Sequence, residues 1–200
     1  MQSIIKAVAI AGFFGSSAAV SANAQALYAG VRVGAATPVG DFAETSAASG
    51  SDAFLRNATA GLGYGLDAGF GSTLLGLYGS YDHIQFGCAS GGCSTSGKAE
   101  LTGYAAGVRA SIPLLPLLKP WAKAGITYNE IKQKLPSSSS AVSMSTGKKP
   151  GYEVGAGVDI PIMMGFFSLS PQVRYVRQKF SGKSANYYTF DIGLKLRSPI

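Results

Sequence analysis

The sequence predicts an all-β fold, an eight-stranded antiparallel up-and-down transmembrane β-barrel, on three observations. First, apolar residues recur at every second position in several segments, which is the period of a strand with one apolar face. Second, no apolar run in the chain approaches the roughly 20 residues that a membrane-spanning helix needs. Third, short and long connections alternate between the candidate strands. A closed barrel satisfies its backbone hydrogen bonds internally, so it can span a membrane without helices.

The composition excludes several classes of protein. Charged residues make up 14% of the 200 residues, against roughly 25% in an ordinary soluble domain. Gly (27) and the aromatic residues Tyr and Phe (10 each) are abundant, a mixture that suits sheets whose outer surface faces lipid. The net charge of +7 would ordinarily favour nucleic acid as a partner. The basic residues are dispersed, and the first residues of the chain predict export, as described next. We therefore expect an anionic membrane surface as the partner, and no nucleic acid.

Residues 1–26 have the organisation of a secretory signal peptide. Lys6 precedes an apolar segment over residues 7–19, and Ala22, Ala24 and Ala26 provide two A-x-A cleavage sites. An N-terminal membrane helix is the alternative, but the apolar segment is too short to span a bilayer. We therefore expect a signal peptide over 1–26, one barrel domain over 27–200, and export to the cell outer membrane.

Four segments carry the alternation most clearly. In each, large apolar side chains occupy one face, and glycine, small or charged side chains occupy the other. The apolar faces are Leu62, Tyr64, Leu66, Ala68 and Phe70; Tyr104, Ala106, Val108, Ala110 and Ile112; Val154, Ala156, Val158 and Ile160; and Tyr188, Phe190, Ile192, Leu194 and Leu196. Weaker alternation over residues 29–35, 75–82, 121–129 and 167–175 completes a set of eight strands.

The connections between these strands alternate in length. Short ones are predicted at residues 71–73, 113–116 and 161–165. Longer polar ones are predicted at residues 41–58, 87–98, 132–150 and 181–186. This alternation is typical of a barrel with one end at the periplasm and the other outside the cell.

The less apolar face is predicted to fill the barrel interior, because eight strands enclose a space just wide enough for side chains. Basic and acidic residues are balanced on this face, and buried charges need partners. We therefore expect an interior network of ion pairs. Its members are Arg32, Asp67, Asp82, Arg109, Lys123, Glu153, Asp159, Arg174, Asp191 and Lys195. Trp121 and the tyrosines near the strand ends are expected to form the aromatic girdle at the membrane interface.

With these features the chain resembles the small eight-stranded outer-membrane barrels, which include opacity-type proteins and OmpA-like transmembrane domains. The resemblance covers essentially the whole mature chain and rests on the order and spacing of individually loose motifs. These stretches are Tyr28–Val31 through Thr37–Phe42, Pro120–Gly125, Gly151–Asp159 and Ser170–Tyr175. The resemblance implies periplasmic termini, insertion in the outer membrane and, in most members, no enzymatic activity.

Two candidate chemical sites lie in and beside the second long connection. Cys88 and Cys93 are the two cysteines of an exported chain, so their spacing favours a disulfide. A metal or redox pair is the alternative, but metal sites want more ligands and the chain has one His. That residue, His83, follows Asp82, and adjacent strand residues point to opposite faces, which does not suit catalysis. We expect His83 at the lipid headgroups, and no enzymatic activity, metal or cofactor.

Basic residues gather in the third and fourth long connections. A solvated loop is the simplest interpretation. The alternative is a surface that contacts phosphates of the outer-leaflet glycolipid or an anionic host surface. The candidate contact residues are Lys132, Lys134, Lys148, Lys149 and Lys183.

Three functions remain open at this point. The first is a structural or surface-interaction role through the extracellular loops, and the second is a narrow porin-like passive channel for small solutes. The third is a soluble exported barrel that holds a ligand. The interior charges favour the first, because they would plug the lumen. The expected partners are outer-membrane lipid and lipopolysaccharide, with a host or surface ligand at the loops, and the expected state is a monomer.

Overall fold

The computed structural model describes residues 26–43, 58–72, 74–88, 98–112, 118–134, 143–162, 166–180 and 183–199. The predicted signal peptide lies almost entirely outside these ranges and stays a prediction. The strands are β1 (Ala26–Val39), β2 (Ala58–Gly71), β3 (Leu75–Cys88), β4 (Lys98–Ser111), β5 (Lys119–Lys134), β6 (Ser143–Ser145), β7 (Lys149–Ile162), β8 (Phe167–Phe180) and β9 (Lys183–Pro199). A short 3-10 helix, Gly40–Phe42, follows β1.

The eight long strands form one closed antiparallel barrel. Sequential neighbours pair along the chain, β1 pairs with β9, and the β4–β5 pairing completes the ring. The short strand β6 pairs only with the far end of β5, at residues 132–134. The predicted eight-stranded up-and-down barrel is therefore confirmed. Among the described residues, no helix is long and apolar enough to cross a membrane.

The side chains alternate between the outside and the lumen, as the two-residue period requires. On β2, Leu62 is 75% exposed and its neighbour Gly61 is buried. Large apolar residues are exposed around the ring, whereas Arg32 in the lumen is 2% exposed. The molecule is thus apolar outside and polar inside, which is the reverse of a soluble barrel and suits a lipid environment.

One predicted connection is wrong. Residues 181–186 were expected to form a long polar loop, but β9 begins at Lys183 and pairs with β8 up to Phe180. Ala185 and Tyr187 point into the lumen and are buried there. Because burial of these two side chains extends the strand, residues 183–186 belong to β9 and not to a loop. The lengths of the connections therefore alternate less strictly than the sequence predicts.

The barrel has two ends, named here by what they carry. The terminal end holds the first residues of β1 and the last of β9, together with the short connections after β2, β4 and β7. The loop end holds the connections after β1, β3 and β5 and the short connection between β8 and β9. The lumen near the loop end is filled by an apolar plug. Its residues are Ala36, Phe42, Ala58, Ile84, Phe86, Ala99, Leu101, Ile131, Val176, Ala185 and Tyr187.

Candidate functional site

The middle of the lumen is occupied by a central ion cluster. It consists of Arg32, Asp67, Asp82, Lys123, Glu153, Arg174 and Asp191, all buried. Arg174 is its hub, because its guanidinium donates to three carboxylates. It reaches Asp82 at 2.9 and 3.0 Å, Asp191 at 3.1 Å and Glu153 at 3.2 Å. One side chain of β8 thereby ties together residues of β3, β7 and β9.

The two other cations of the central ion cluster complete the pairing. Arg32 lies 2.7 Å from Asp82 and 3.4 Å from Asp67. Lys123 lies 3.1 Å from Glu153. Every charged residue of the cluster therefore has a partner of opposite sign within salt-bridge distance, which offsets the desolvation that burial imposes on it.

Two glycines make room for this arrangement. A side-chain carbon at Gly65 would overlap the guanidinium of Arg32, and one at Gly69 would overlap the ring of Tyr28. The side chains of Arg32 and Tyr28 on β1 thus pass over the neighbouring strand β2, because β2 carries no side chain at these two paired positions. The abundance of inward glycine in the sequence is explained by this close approach.

A second group, the terminal ion cluster, lies near the terminal end and consists of Arg109, Asp159, Lys195 and Arg197. The Asp159 carboxylate is its centre: Arg109 lies 2.5 Å away, Arg197 2.6 Å and Lys195 3.1 Å. Ser170 donates a further hydrogen bond to it at 2.8 Å. Three cations of β4 and β9 therefore share one carboxylate of β7.

The predicted position of Trp121 is wrong. It was expected in the outer aromatic girdle, but its side chain is 4% exposed and lies in the lumen. Its Nε1 donates to Asp159 at 3.0 Å, and its ring packs against Arg109 (4.4 Å) and Lys195 (4.6 Å). Trp121 is on the same face of β5 as Lys123, so the strand period indicates an inward position, whereas the residue type suggests the girdle.

Arg197 was also missed by the sequence reasoning, although a signal was present. It follows Lys195 by two residues on β9 and therefore shares its inward face. Phe42 was missed for a different reason, since it lies in a connection without periodicity. It is 1% exposed and packs edge-on against Phe86 at 5.1 Å between ring centroids. Phe42 thereby closes the apolar plug at the loop end.

Three of the five lysines predicted to contact anions are exposed at the loop end: Lys132 and Lys148 on the outer face, and Lys149 on the rim, paired with the inward Asn129. Lys132 is half exposed and lies 3.6 Å from Glu130. Lys148 and Lys149 are exposed, and the Lys148 ammonium lies 5.1 Å from the centroid of the Tyr104 ring. The side chains of Lys134 and Lys183 lie outside the described residues, so they cannot be assigned to this surface.

Asp82 and His83 point in opposite directions. Asp82 faces the lumen and pairs with Arg32 and Arg174. His83 lies on the outer face, where it stacks on Tyr64 and its Nδ1 lies 3.6 Å from a Glu100 carboxylate oxygen. The predicted disulfide stays a prediction, because the Cys88 side chain and all of Cys93 lie outside the described residues.

Comparison with known proteins agrees with this geometry. A sequence model of the family described as "Outer membrane protein beta-barrel domain" matches residues 7–197. No curated protein matches the sequence.

Solved structures with the same fold were found at low sequence identity. Neisserial surface protein A has 15% identity, a TM-score of 0.62, and coverage of 86% of this chain and 97% of its own. Ail of Yersinia pestis has 13% identity, a TM-score of 0.53, and coverage of 88% and 99%. A second Ail structure is a complex with the heparin analogue sucrose octasulfate. It has 14% identity, a TM-score of 0.53, and coverage of 88% of this chain and 99% of its own. OprG of Pseudomonas aeruginosa has 9% identity, a TM-score of 0.52, and coverage of 88% and 96%.

The family match spans nearly the whole chain, and the similar structures are outer-membrane proteins with the same barrel fold. The chain belongs to the outer membrane protein β-barrel domain family and resides in the cell outer membrane.

Proposed function

We propose that this protein is a closed, non-conducting and non-enzymatic barrel that acts through the surface it displays outside the cell. The observation that supports this proposal is the filled lumen. Two ion clusters occupy its middle and terminal parts, and the apolar plug occupies the part near the loop end. An ion moving through would have to break buried ion pairs and then cross an apolar layer, both of which are unfavourable.

A small cavity lies between two of these layers. A cavity of about 10 Å³ lies beside Gly34, Asp82, Arg174 and Asp191, where the central ion cluster meets the plug. That volume accommodates about one water molecule, not a column of water. A narrow passive channel is the competing function, and it requires a continuous wet path that this cavity does not provide. A ligand-holding soluble barrel is disfavoured because its apolar face would have to line the interior.

A liposome-swelling experiment tests the proposal. Liposomes that contain the purified barrel are diluted into isotonic solutions of a small sugar or amino acid. We expect the same swelling rate as for empty liposomes, while a general porin reconstituted at equal density gives rapid swelling. Swelling that rises with the amount of the barrel would reject a sealed lumen and favour the channel.

The loop-end lysines support an anionic ligand for the displayed surface. Lys132 and Lys148 are exposed on the outer face at the loop end, where Lys148 lies beside Tyr104, and Lys149 is exposed on the neighbouring rim of the barrel. An exposed basic patch at the extracellular end of the barrel is close to the phosphates of the outer-leaflet glycolipid. A similar fold, Ail of Yersinia pestis, was solved with the polyanion sucrose octasulfate, which makes a sulfated host surface the second candidate. We propose lipopolysaccharide phosphate as the first ligand of this patch.

Binding of the barrel to lipopolysaccharide vesicles and to sucrose octasulfate tests this ligand. Replacing Lys148 and Lys149 with Gln should weaken binding by about tenfold or more, since each basic residue near an anionic surface contributes about 1 kcal/mol. The matched control is Lys119→Gln at the other end of the barrel. Unchanged binding by the double variant would reject the proposal for these residues.

A non-enzymatic role is supported by the position of the sole histidine. A catalytic pair needs the base and the residue that orients it on the same side of the strand. Asp82 is held inside by two arginines, while His83 is outside. We further propose that residues 1–26 direct export and are removed, and that the barrel acts as a monomer.

A further inference from the structure

The terminal ion cluster carries an excess of positive charge. Arg109, Lys195 and Arg197 lie within 3.1 Å of a single carboxylate, that of Asp159. The central ion cluster is different, since its three cations are matched by four carboxylates. Two of the three positive charges near Asp159 therefore have no counterpart within the cluster.

Among the described residues, one further carboxylate, that of Asp67, lies close to the terminal ion cluster, and it leaves an excess of one positive charge in the lumen as a whole. Asp67, the other acidic residue on this side of the lumen, is bound to Arg32 at 3.4 Å. The three short connections at this end, residues 72–74, 112–118 and 163–166, contain no Asp or Glu in the sequence. Like charges gathered in a space of low dielectric repel one another strongly, so an additional anion would stabilise this arrangement.

The terminal ion cluster also contains a hydrogen-bond donor that is not used within the described residues. The Nε of Arg109 is buried without a partner among the described residues. Arg197 is 25% exposed, whereas the other three members are almost fully buried, so it connects the cluster to the outside at the terminal end. The rings of Trp121 and Tyr28 pack beside Arg109 and Lys195 and keep these cations in place.

We propose that the terminal ion cluster is a binding site for a phosphate group that enters from the terminal end. Arginine suits this ligand because its planar fork of N–H donors matches the oxygens of phosphate. Two sources present this group at the periplasmic side: free phosphate compounds and the headgroups of inner-leaflet phospholipids. The site is separate from the loop-end lysines and does not depend on the ligand proposed for them.

Trp121 provides a direct signal for the test, because it is the one tryptophan of the chain and hydrogen-bonds to Asp159. The barrel is refolded in a non-ionic detergent at low salt and titrated with inorganic phosphate while tryptophan fluorescence is recorded. We expect a saturable change, and no such change with chloride at the same ionic strength. A response to phosphate that matches the response to chloride would overturn the proposal.

Two variants separate a binding site from a structural ion cluster. Arg197→Gln should weaken phosphate binding by about tenfold through loss of one charge-assisted donor. Asp159→Asn should instead strengthen binding, because it removes the competing carboxylate and leaves the three cations. The matched control, Lys132→Gln at the loop end, should bind as the wild type does. If Asp159→Asn does not fold, Arg197→Gln decides alone, and unchanged binding by that variant overturns the proposal.

The source of the phosphate group is distinguished in bilayer nanodiscs. One set contains phosphatidylglycerol, and the other contains digalactosyldiacylglycerol, a lipid without phosphate. If the lipid headgroup fills the site, the fluorescence change is already present in phosphatidylglycerol and added phosphate has no effect there. If free phosphate fills it, the titration is the same in both lipids. If neither phosphatidylglycerol nor added phosphate changes the fluorescence, the proposed site is overturned.

Discussion

The loop-end half of the lumen and its middle are filled by opposite means. The apolar plug packs side chains such as Leu101 and Ile131, which are fully buried and carry no charge. The central ion cluster instead fills the middle of the lumen with charged groups that meet around Arg174. Both regions exclude water, but the plug does so by packing and the cluster by mutual neutralisation.

The two regions should respond differently to substitution. Packing is graded, so each methylene removed from the plug reduces stability in proportion to the cavity it leaves. Ion pairing is not graded, because removing one charge leaves its buried partners without compensation. Single substitutions in the two regions therefore test whether they are stabilised in these different ways.

The largest effect is expected at the hub of the central ion cluster. Arg174→Met should lower the free energy of unfolding by about 4 kcal/mol, because three buried carboxylates lose a donor. Asp191 is affected most, since its remaining bond is from Thr189 at 2.8 Å. Urea titration followed by tryptophan fluorescence measures the change. The control Lys132→Met removes an exposed cation, and a similar loss in both variants would contradict the special role of the hub.

The next largest effect is expected in the apolar plug. Leu101→Ala should lower the free energy of unfolding by about 3 kcal/mol, as for other buried leucines truncated in a packed core. Its companion Ile131→Val removes one methyl group and should lower it by about 1 kcal/mol. The same urea titration gives both values. Equal losses in the two variants would show that the stability of the plug does not depend on the volume of side chain removed, which would contradict stabilisation by packing.

A smaller effect is expected from a pair of matched tyrosine substitutions. The Tyr78 hydroxyl donates to Glu153 at 2.7 Å, so Tyr78→Phe should lower the free energy of unfolding by about 1.5 kcal/mol. In the plug, the Tyr187 hydroxyl accepts from Asn129 at 3.5 Å, at the limit of hydrogen bonding. Tyr187→Phe should therefore lower it by about 0.5 kcal/mol. A larger loss at Tyr187 than at Tyr78 would contradict the assignment of polar bonding to the ion cluster.

The smallest effect is expected outside the lumen. Lys132 is half exposed and its nitrogen lies 3.6 Å from Glu130. Exposed ion pairs of this kind contribute little, so Lys132→Gln should change the free energy of unfolding by less than about 0.5 kcal/mol. A loss of several kcal/mol in the urea titration would mean that charge pairing outside the barrel matters as much as inside it.

The fold could be predicted from the sequence because a strand has a strict two-residue period. Leu62 and Leu66 alternate with glycines, and the same period assigns the face of most strand residues, the irregularity between Thr59 and Gly61 on β2 excepted. The partners of a charged residue do not follow from that period. Arg174 meets Asp82 across the lumen from strands that are not neighbours, and only the closed ring brings them together.

The errors of prediction have physical causes as well. Trp121 has the residue type of an interface girdle, but its N–H is satisfied by Asp159 inside the lumen. Residues 181–186 are polar enough to suggest a loop, and only the burial of Ala185 and Tyr187 against other strands extends β9. Phe42 carries no periodic signal because it enters the lumen from a connection. In each case tertiary packing decides what local pattern leaves open.

Single-channel current across a planar bilayer tests directly whether the ion clusters and the apolar plug together seal the barrel. The wild-type barrel is inserted at low density and recorded over a range of voltages at high salt. We predict no stepwise current above that of the bare membrane, because the ion clusters and the plug leave no continuous wet path. Steady current steps of uniform size, present after insertion of the barrel and proportional to voltage, would contradict the account.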